Sequence, residues 1–378
     1  MVKSDRDTTS MSNEVHVAKG MPSLDMSGKP TSFFEFWPAW VMYFPVLLQS
    51  LLLAIRHGSL TLPLIANPRL RLSGMVGVGK SELMSQAEGE CHETILSWFD
   101  VVVSSDAIKE QIRDLEARMA AKDLFYPIVC KPDIGCRGVG VKLVSNAEEL
   151  ATVIHAYPIN SRVIFQKLSD WEPEAGVFYV RQPGDDQGSI ISMALKYMPY
   201  VVGDGALTLR QLIERDPRAG ELKHLYLQRH RSELNRVIDR GESYRLIFAA
   251  SHSRGAIFRD ANEHITPALS KRIDQLMQQL PEFYYGRLDI KFRDLDALQA
   301  GQDLQIVEIN CASAESLHIW DRRANLRQAV GALLYQYRLL FKLGVMNRKK
   351  GYRPPSLREL LVAWQQERRL TSHYPETD

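Results

Sequence analysis

Residues 285–292 read YGRLDIKF, and residues 305–310 read QIVEIN. Successive side chains on a strand point to opposite faces. Arg287 and Asp289 therefore share one face, with Leu288 and Ile290 on the other. In the second stretch Glu308 and Asn310 share a face, opposite Val307 and Ile309. Strands over Arg287–Phe292 and Leu304–Asn310, paired across a polar loop, would gather a guanidinium and three oxygen-bearing side chains on one surface. Asp289, Glu308 and Asn310 are hard donors suited to Mg²⁺, which leaves part of its shell to water and phosphate oxygens. Two such ions, or Mn²⁺ in their place, could neutralise a transferring phosphoryl group. Arg287 beside them could stabilise a developing oxyanion. The plainer alternative is a hairpin with a solvated charged face.

A second signal lies upstream. Residues 126–144 read YPIVCKPDIGCRGVGVKLV. An apolar strand, Tyr126–Lys131, leads into a loop with Gly135, Gly138 and Gly140, and a strand over Val139–Val144 follows. Glycines let backbone N–H groups approach a phosphate closely, and a lysine adds a point charge. A flexible hairpin loop is again the plainer alternative. Residues 163–181, VIFQKLSDWEPEAGVFYVR, continue with strands over Val163–Lys167 and Gly176–Arg181. Two acids stand between them, Glu172 and Glu174. Arg181 serves phosphates, another ligand or the surface. Ile108, Ile112, Leu115 and Met119 predict a helix over 107–122. Asn146 with Glu149, and Thr208 with Gln211, predict capped helices over 147–156 and Leu209–Glu214. An amphipathic helix over 325–342 should stop at Gly344.

The order of these pieces resembles the ATP-grasp superfamily over residues 120–325: lysine and glycine loop, adenine strand, ribose acid, GDG loop, then RLD and ExN. It is similar to ligases of the D-alanine–D-alanine ligase, cyanophycin synthetase and glutathione synthetase kind. VVGDGALTLRQLI, residues 201–213, is similar to the GDG-x-x-T-x-x-x-L-I segment of several amino-acid ligases. The resemblance implies an α+β, ATP-grasp fold in which two lobes clasp ATP. It implies an ADP-forming C–N ligase that activates a carboxylate as an acyl phosphate for attack by an amine. Lys131, with Gly135, Gly138 and Gly140 in its loop, would bind the phosphates. Gln166, Lys167 and Leu168 would border adenine, Glu174 would hold ribose, and Lys196 would reach a phosphate. Asp289, Glu308 and Asn310 would hold Mg²⁺, and Arg287 would steady the tetrahedral intermediate. Two departures stand out. Residues 59–105 offer less strand–helix alternation than the usual leading domain, so the N-terminal lobe is reduced. The continuation CASAESLHIWD after Asn310 is not the N-x-x-P-G of dipeptide ligases, which argues against a D-alanine substrate.

The 378 residues suffice for two or three lobes. Lys and Arg number 47 against 45 Asp and Glu, a balance that excludes a dedicated nucleic-acid binder. Cys91, Cys130, Cys136 and Cys311 lack CxxC spacing, which points to a reducing compartment, the cytoplasm. Residues 1–32 are polar and read as a disordered tail. Within 33–58 the run Phe36–Ile55 carries no charge and is long enough for a bilayer. Pro38 and Pro45 favour a packed segment or an interfacial anchor at the inner membrane face over a straight span. The remaining divisions are an N-terminal lobe over 59–120, the ATP-grasp domain over 121–345, and a helix with a polar tail over 346–378.

Gly74–Ser81 reads GMVGVGKS, matching the phosphate-loop pattern G-x-x-x-x-G-K-[ST]. That pattern normally follows an apolar strand, and NPRLRLS is a poor one. A nucleotide hydrolase or kinase centred on Lys80 is thus the rival enzyme, and a non-catalytic, membrane-associated nucleotide-binding module the rival non-enzyme. His252 reads as a structural histidine, with proton transfer or anion binding beside Arg254 as its active alternative.

Overall fold

The computed structural model describes residues 15–25, 32, 34–35, 37–135, 138–249 and 251–378. The chain starts with α1 (Ala39–His57), α2 (Lys80–Met84) and α3 (Gly89–Thr94), linked by 3₁₀ turns. Then come β1 (Trp98–Val102), α4 (Ile108–Ala121), β2 (Ile128–Pro132), β3 (Lys142–Val144), α5 (Ala147–Ala156) and β4 (Arg162–Lys167). The middle holds β5 (Glu174–Val180), β6 (Ser189–Tyr197), β7 (Tyr200–Val202), α6 (Leu209–Arg215), α7 (Lys223–Arg229), β8 (Ser243–Arg245), β9 (Ile257–Asp260) and α8 (Pro267–Gln278). It closes with β10 (Tyr285–Phe292), α9 (Leu295–Gln299), β11 (Leu304–Asn310), α10 (Leu326–Lys349) and α11 (Leu357–Thr371).

The architecture is α+β, as expected. A four-stranded antiparallel sheet runs β1-β4-β2-β3, a five-stranded one β11-β10-β5-β6-β9, and β7 pairs with β8. The small sheet closes its own core with α4 and α5 through Phe99, Leu115, Leu150 and Phe165. The large sheet packs Val177, Met193, Leu288 and Ile306 against Ile273 and Met277 of α8. Local signals explain several element ends. The Asn146 side chain accepts from Glu149 N at 2.9 Å and opens α5. Thr208 and Gln211 form the reciprocal capping box of α6.

The structure corrects three expectations. α10 runs through Gly344 to Lys349. A Cβ on Gly344 would lie 2.1 Å from the Leu62 carbonyl oxygen, so this glycine permits close packing instead of ending the helix. β1 lies within the expected N-terminal lobe, yet it pairs with β4 from Trp98↔Gln166 to Val102↔Arg162. A boundary at residue 120 therefore cuts a sheet. In the expected tail, residues 15–25 are packed. Val17, Met21 and Leu24 lie against the large core, and Tyr197 Oη donates to Pro22 O at 3.1 Å. Three apolar side chains give this polar stretch something to bury. Residues 1–14 and 26–31 lie outside the described residues.

Candidate active site

One backbone carbonyl of the large sheet takes two side chains of the small one. Lys131 Nζ at the end of β2 donates to Val307 O at 3.1 Å, and Gln166 Nε2 on β4 donates to the same oxygen at 3.3 Å. Between the sheets lies a cavity of about 840 Å³. Lys131, Gly138, Gln166, Lys167, Leu168, Glu174, Lys196, Arg287, Asp289, Glu308 and Asn310 line it. Of the hairpin glycines, Gly135 and Gly140 do not line it.

The strand register builds the floor. β10 and β11 pair antiparallel with Arg287 opposite Asn310 and Asp289 opposite Glu308. On the other side β10 pairs with β5, setting Lys291 opposite Glu174, and β5 pairs with β6, setting Glu174 opposite Lys196. Gly176 faces Asp289, and a Cβ there would meet Leu317 at 2.6 Å and the Arg287 stem at 3.3 Å. The glycine thus leaves room for the guanidinium. Arg287 makes a fork to Asp289, 2.7 Å from Nε and 3.0 Å from Nη2, and donates to Glu315 O at 3.1 Å. Asn310 Nδ2 adds a 3.0 Å bond to Asp289. That leaves the Asn310 carbonyl oxygen and the Glu308 carboxylate beside an already neutralised aspartate.

Charge is balanced tightly on this floor. Glu174 is buried, which raises its carboxyl, but Lys196 at 2.6 Å and Lys291 at 2.9 Å outweigh burial and hold it down to about 2. Burial would likewise raise Glu308, yet Lys80, Lys131 and Arg287 bring it below the usual carboxylate range. The cost falls on Lys131. Only 5% exposed, it is pulled down to about 8, against the attraction of Glu308. Among the described residues no three His, Cys, Asp or Glu side chains cluster as a metal site. Asp289, Glu308 and Asn310 nonetheless fit Mg²⁺ as a donor set: two carboxylates and one amide oxygen on adjacent strands, needing phosphate and water to complete the shell.

The GMVGVGKS stretch reaches this site without making a phosphate loop. Several of its N–H groups are engaged, among them Gly77 N with Glu367 Oε2 at 2.6 Å, Lys80 N with Asp133 O at 3.0 Å, and Ser81 N with Asp133 Oδ1 at 2.7 Å. The Ser81 hydroxyl is taken by Asp133 as well, at 3.0 Å. Lys80 Nζ donates to Gly135 O at 2.8 Å and stands 3.7 Å from Glu308. The glycine hairpin holds the chain's own last residues. Lys142 Nζ donates to Asp378 Oδ1 at 2.6 Å, Leu143 N to Oδ2 at 2.9 Å, and Gly140 N to Thr377 Oγ1 at 3.1 Å. A hairpin read as an anion binder thus embraces a carboxylate.

Sequence reasoning missed Lys291, Tyr43 and Asp378, which line the cavity, and assigned Lys80 to the rival motif instead. Lys291 was within reach, because it is two residues past Asp289 on the same strand face. Tyr43 and Asp378 carry no local signal, since only the tertiary fold brings them in, and the same fold brings Lys80 to Glu308. Arg181 is absent from the cavity and lies 5.6 Å over the Tyr284 ring. Glu172 accepts from Tyr200 Oη at 2.5 Å. In the GDG loop, Asp204 caps the N–H groups of Ala206 and Leu207 at 2.9 and 2.7 Å. The His252 side chain lies outside the described residues.

Comparison with known proteins finds both sequence relatives and similar solved structures. The chain is 25% identical over 229 residues to cyanophycin synthetases of Trichormus variabilis and of a Nostoc species, across 55% of this chain and 24% of theirs. Solved structures similar to the chain include the D-alanine–D-alanine ligase from Coxiella burnetii, with 10% identity and a TM-score of 0.39, over 79% of this chain and 64% of that one. A bifunctional glutathione synthetase from Pasteurella multocida gives 14% and 0.34, over 70% and 36%. The chain spans about a quarter of the length of the cyanophycin synthetases it matches. No family model matches it.

Proposed function

We propose that the chain is an ATP-dependent carboxylate–amine ligase of the ATP-grasp type, working in the cytoplasm on small-molecule substrates. The observation that carries this reading is the floor of the cavity. Arg287, Asp289, Glu308 and Asn310 stand in register on β10 and β11, and Lys131 reaches the same edge from the other sheet. ATP would lie between the sheets, with adenine along Gln166, Lys167 and Leu168 and its phosphates toward Lys131 and the glycine hairpin. Mg²⁺ on Asp289, Glu308 and Asn310 would neutralise phosphate charge.

In the reaction a substrate carboxylate oxygen bonds to the γ-phosphorus, and ADP leaves. An amine nitrogen then bonds to the acyl carbon, phosphate leaves, and the amine proton passes to solvent. The chain's part is positioning and charge. Arg287 is placed to face the oxyanion of the second step, because its fork to Asp289 fixes the guanidinium plane. Lys196 and Lys291, tied through Glu174, put a net positive charge on the floor where the triphosphate would lie. This arrangement gives Glu174 a charge-holding role beside the ribose role that the resemblance implies.

The test is a panel of carboxylates and amines assayed for ADP and phosphate with purified protein and Mg²⁺. A ligase releases equal ADP and phosphate only when both substrates are present. Release that ignores both, and that Lys80→Ala abolishes, would replace this reading with the hydrolase one.

A further inference from the structure

We propose that the outer face of α1 docks on the surface of an anionic lipid bilayer, with the helix lying flat. The helix has two unlike sides. Met42, Val46 and Ser50 are buried, and Gln49 Nε2 donates to Leu334 O of α10 at 2.7 Å. On the other side Trp40, Phe44, Leu48, Leu51, Leu52 and Ile55 recur at helical spacing and are exposed, Trp40 by 72%, Leu52 by 69% and Ile55 by 81%. One continuous apolar stripe thus runs the length of a 19-residue helix. A stripe this long on a soluble surface marks a contact surface.

Charge selects the occupant. No Asp or Glu occurs from residue 36 to 81 or from 322 to 358, the stretches that contain α1 and α10. Every charged side chain in those two stretches is therefore positive. Arg56 ends α1, while Arg338, Lys342 and Lys349 share one stripe of α10 at intervals of four and seven. Arg338 touches α1 through Gln49 at 3.4 Å, and Arg348 donates to His57 O at 2.8 Å. An apolar stripe flanked by cations complements acyl chains under anionic headgroups. A second copy of the same face would bring cations against cations. Spanning is disfavoured because the inner side of the helix is committed to α10. That side also carries Tyr43, whose hydroxyl donates to Glu315 Oε2 at 2.7 Å in the cavity wall. The docking face and the cavity therefore lie on opposite sides of one helix, about 10 Å apart.

The inference stands apart from the ligase reading and is tested without turnover. The full chain is sedimented with vesicles of phosphatidylcholine, with and without phosphatidylglycerol. Binding is expected to the anionic vesicles and to weaken with salt. Lys342→Gln with Lys349→Gln should lower the affinity by about fivefold per charge. Leu48→Glu with Leu52→Glu, both on the exposed side, should abolish binding while thermal melting stays unchanged. Failure of the parent chain to sediment would overturn the proposal, as would undiminished binding by the Leu48→Glu, Leu52→Glu variant. A concentration-dependent dimer in vesicle-free buffer, dissolved by that same variant, would assign the face to a second copy instead.

Discussion

Replacing Lys131 by methionine should stabilise the protein and weaken nucleotide binding together. The ammonium is buried, and burial lowers it from 10.5 to about 8. Between those values the unfolded chain binds a proton that the folded chain has released, so stability from this group rises with pH across that window. Below about 8 both states are charged and the whole penalty stands. At about 1.4 kcal/mol per pH unit, the gap between 8 and 10.5 amounts to roughly 3 kcal/mol at pH 7. Methionine removes that penalty and loses the hydrogen bond to Val307 O, worth about 1 kcal/mol, though Gln166 still serves that oxygen. The net expectation is a gain of about 2 kcal/mol at pH 7, shrinking as the pH approaches 10. Urea denaturation of both proteins at pH 7 and pH 10 reads it directly, provided the slopes agree. Nucleotide titration in parallel should show about ten- to a hundredfold weaker binding, the worth of a charge-assisted hydrogen bond. A variant less stable than its parent at pH 7, or a difference indifferent to pH, would refute the reasoning.

Glu174→Gln should lose about 3 kcal/mol at pH 7, because a carboxyl held at about 2 against 4.5 supports the fold above 4.5 and ceases to as pH falls toward 2. Denaturation at pH 7 and pH 3 should show that deficit narrowing in acid. Asp289→Ala and Glu308→Ala should each abolish ATP turnover with circular dichroism unchanged, and normal turnover in both would sink the metal assignment. Lys131→Ala should weaken nucleotide binding far more than Lys80→Ala, since Lys131 lines the cavity whereas Lys80 is tied to Gly135 O and does not. Titration of both variants giving the reverse order would restore the phosphate-loop reading.

Period-two alternation made the floor of the site legible. It placed Arg287 with Asp289 and Glu308 with Asn310, and the β10–β11 register joins the two pairs on one surface. Local capping made α5 and α6 legible to within a residue. The failures share a cause. Gly344 looks like a helix stop in sequence because its reason, the Leu62 carbonyl, lies far away in the chain. β1 looked like part of another lobe because its partner, β4, follows some sixty residues later. Lys80 was judged by its neighbours in sequence, whereas its place is set by Gly135 and Glu308. Long-range packing decides such positions, and a single sequence states only local preferences.

The seat of α1 on α10 also has a consequence for synthesis. The partner of residues 39–57 starts only at Leu326, some 270 residues further along the chain. At about 5–20 residues per second, the inner face with Met42 and Val46 waits roughly 15–55 s for α10. Throughout that interval the nascent chain carries a helix apolar on both sides. A bilayer surface or a chaperone would shelter it until translation reaches α10, and the face that the finished protein buries is the one left open while it is being made.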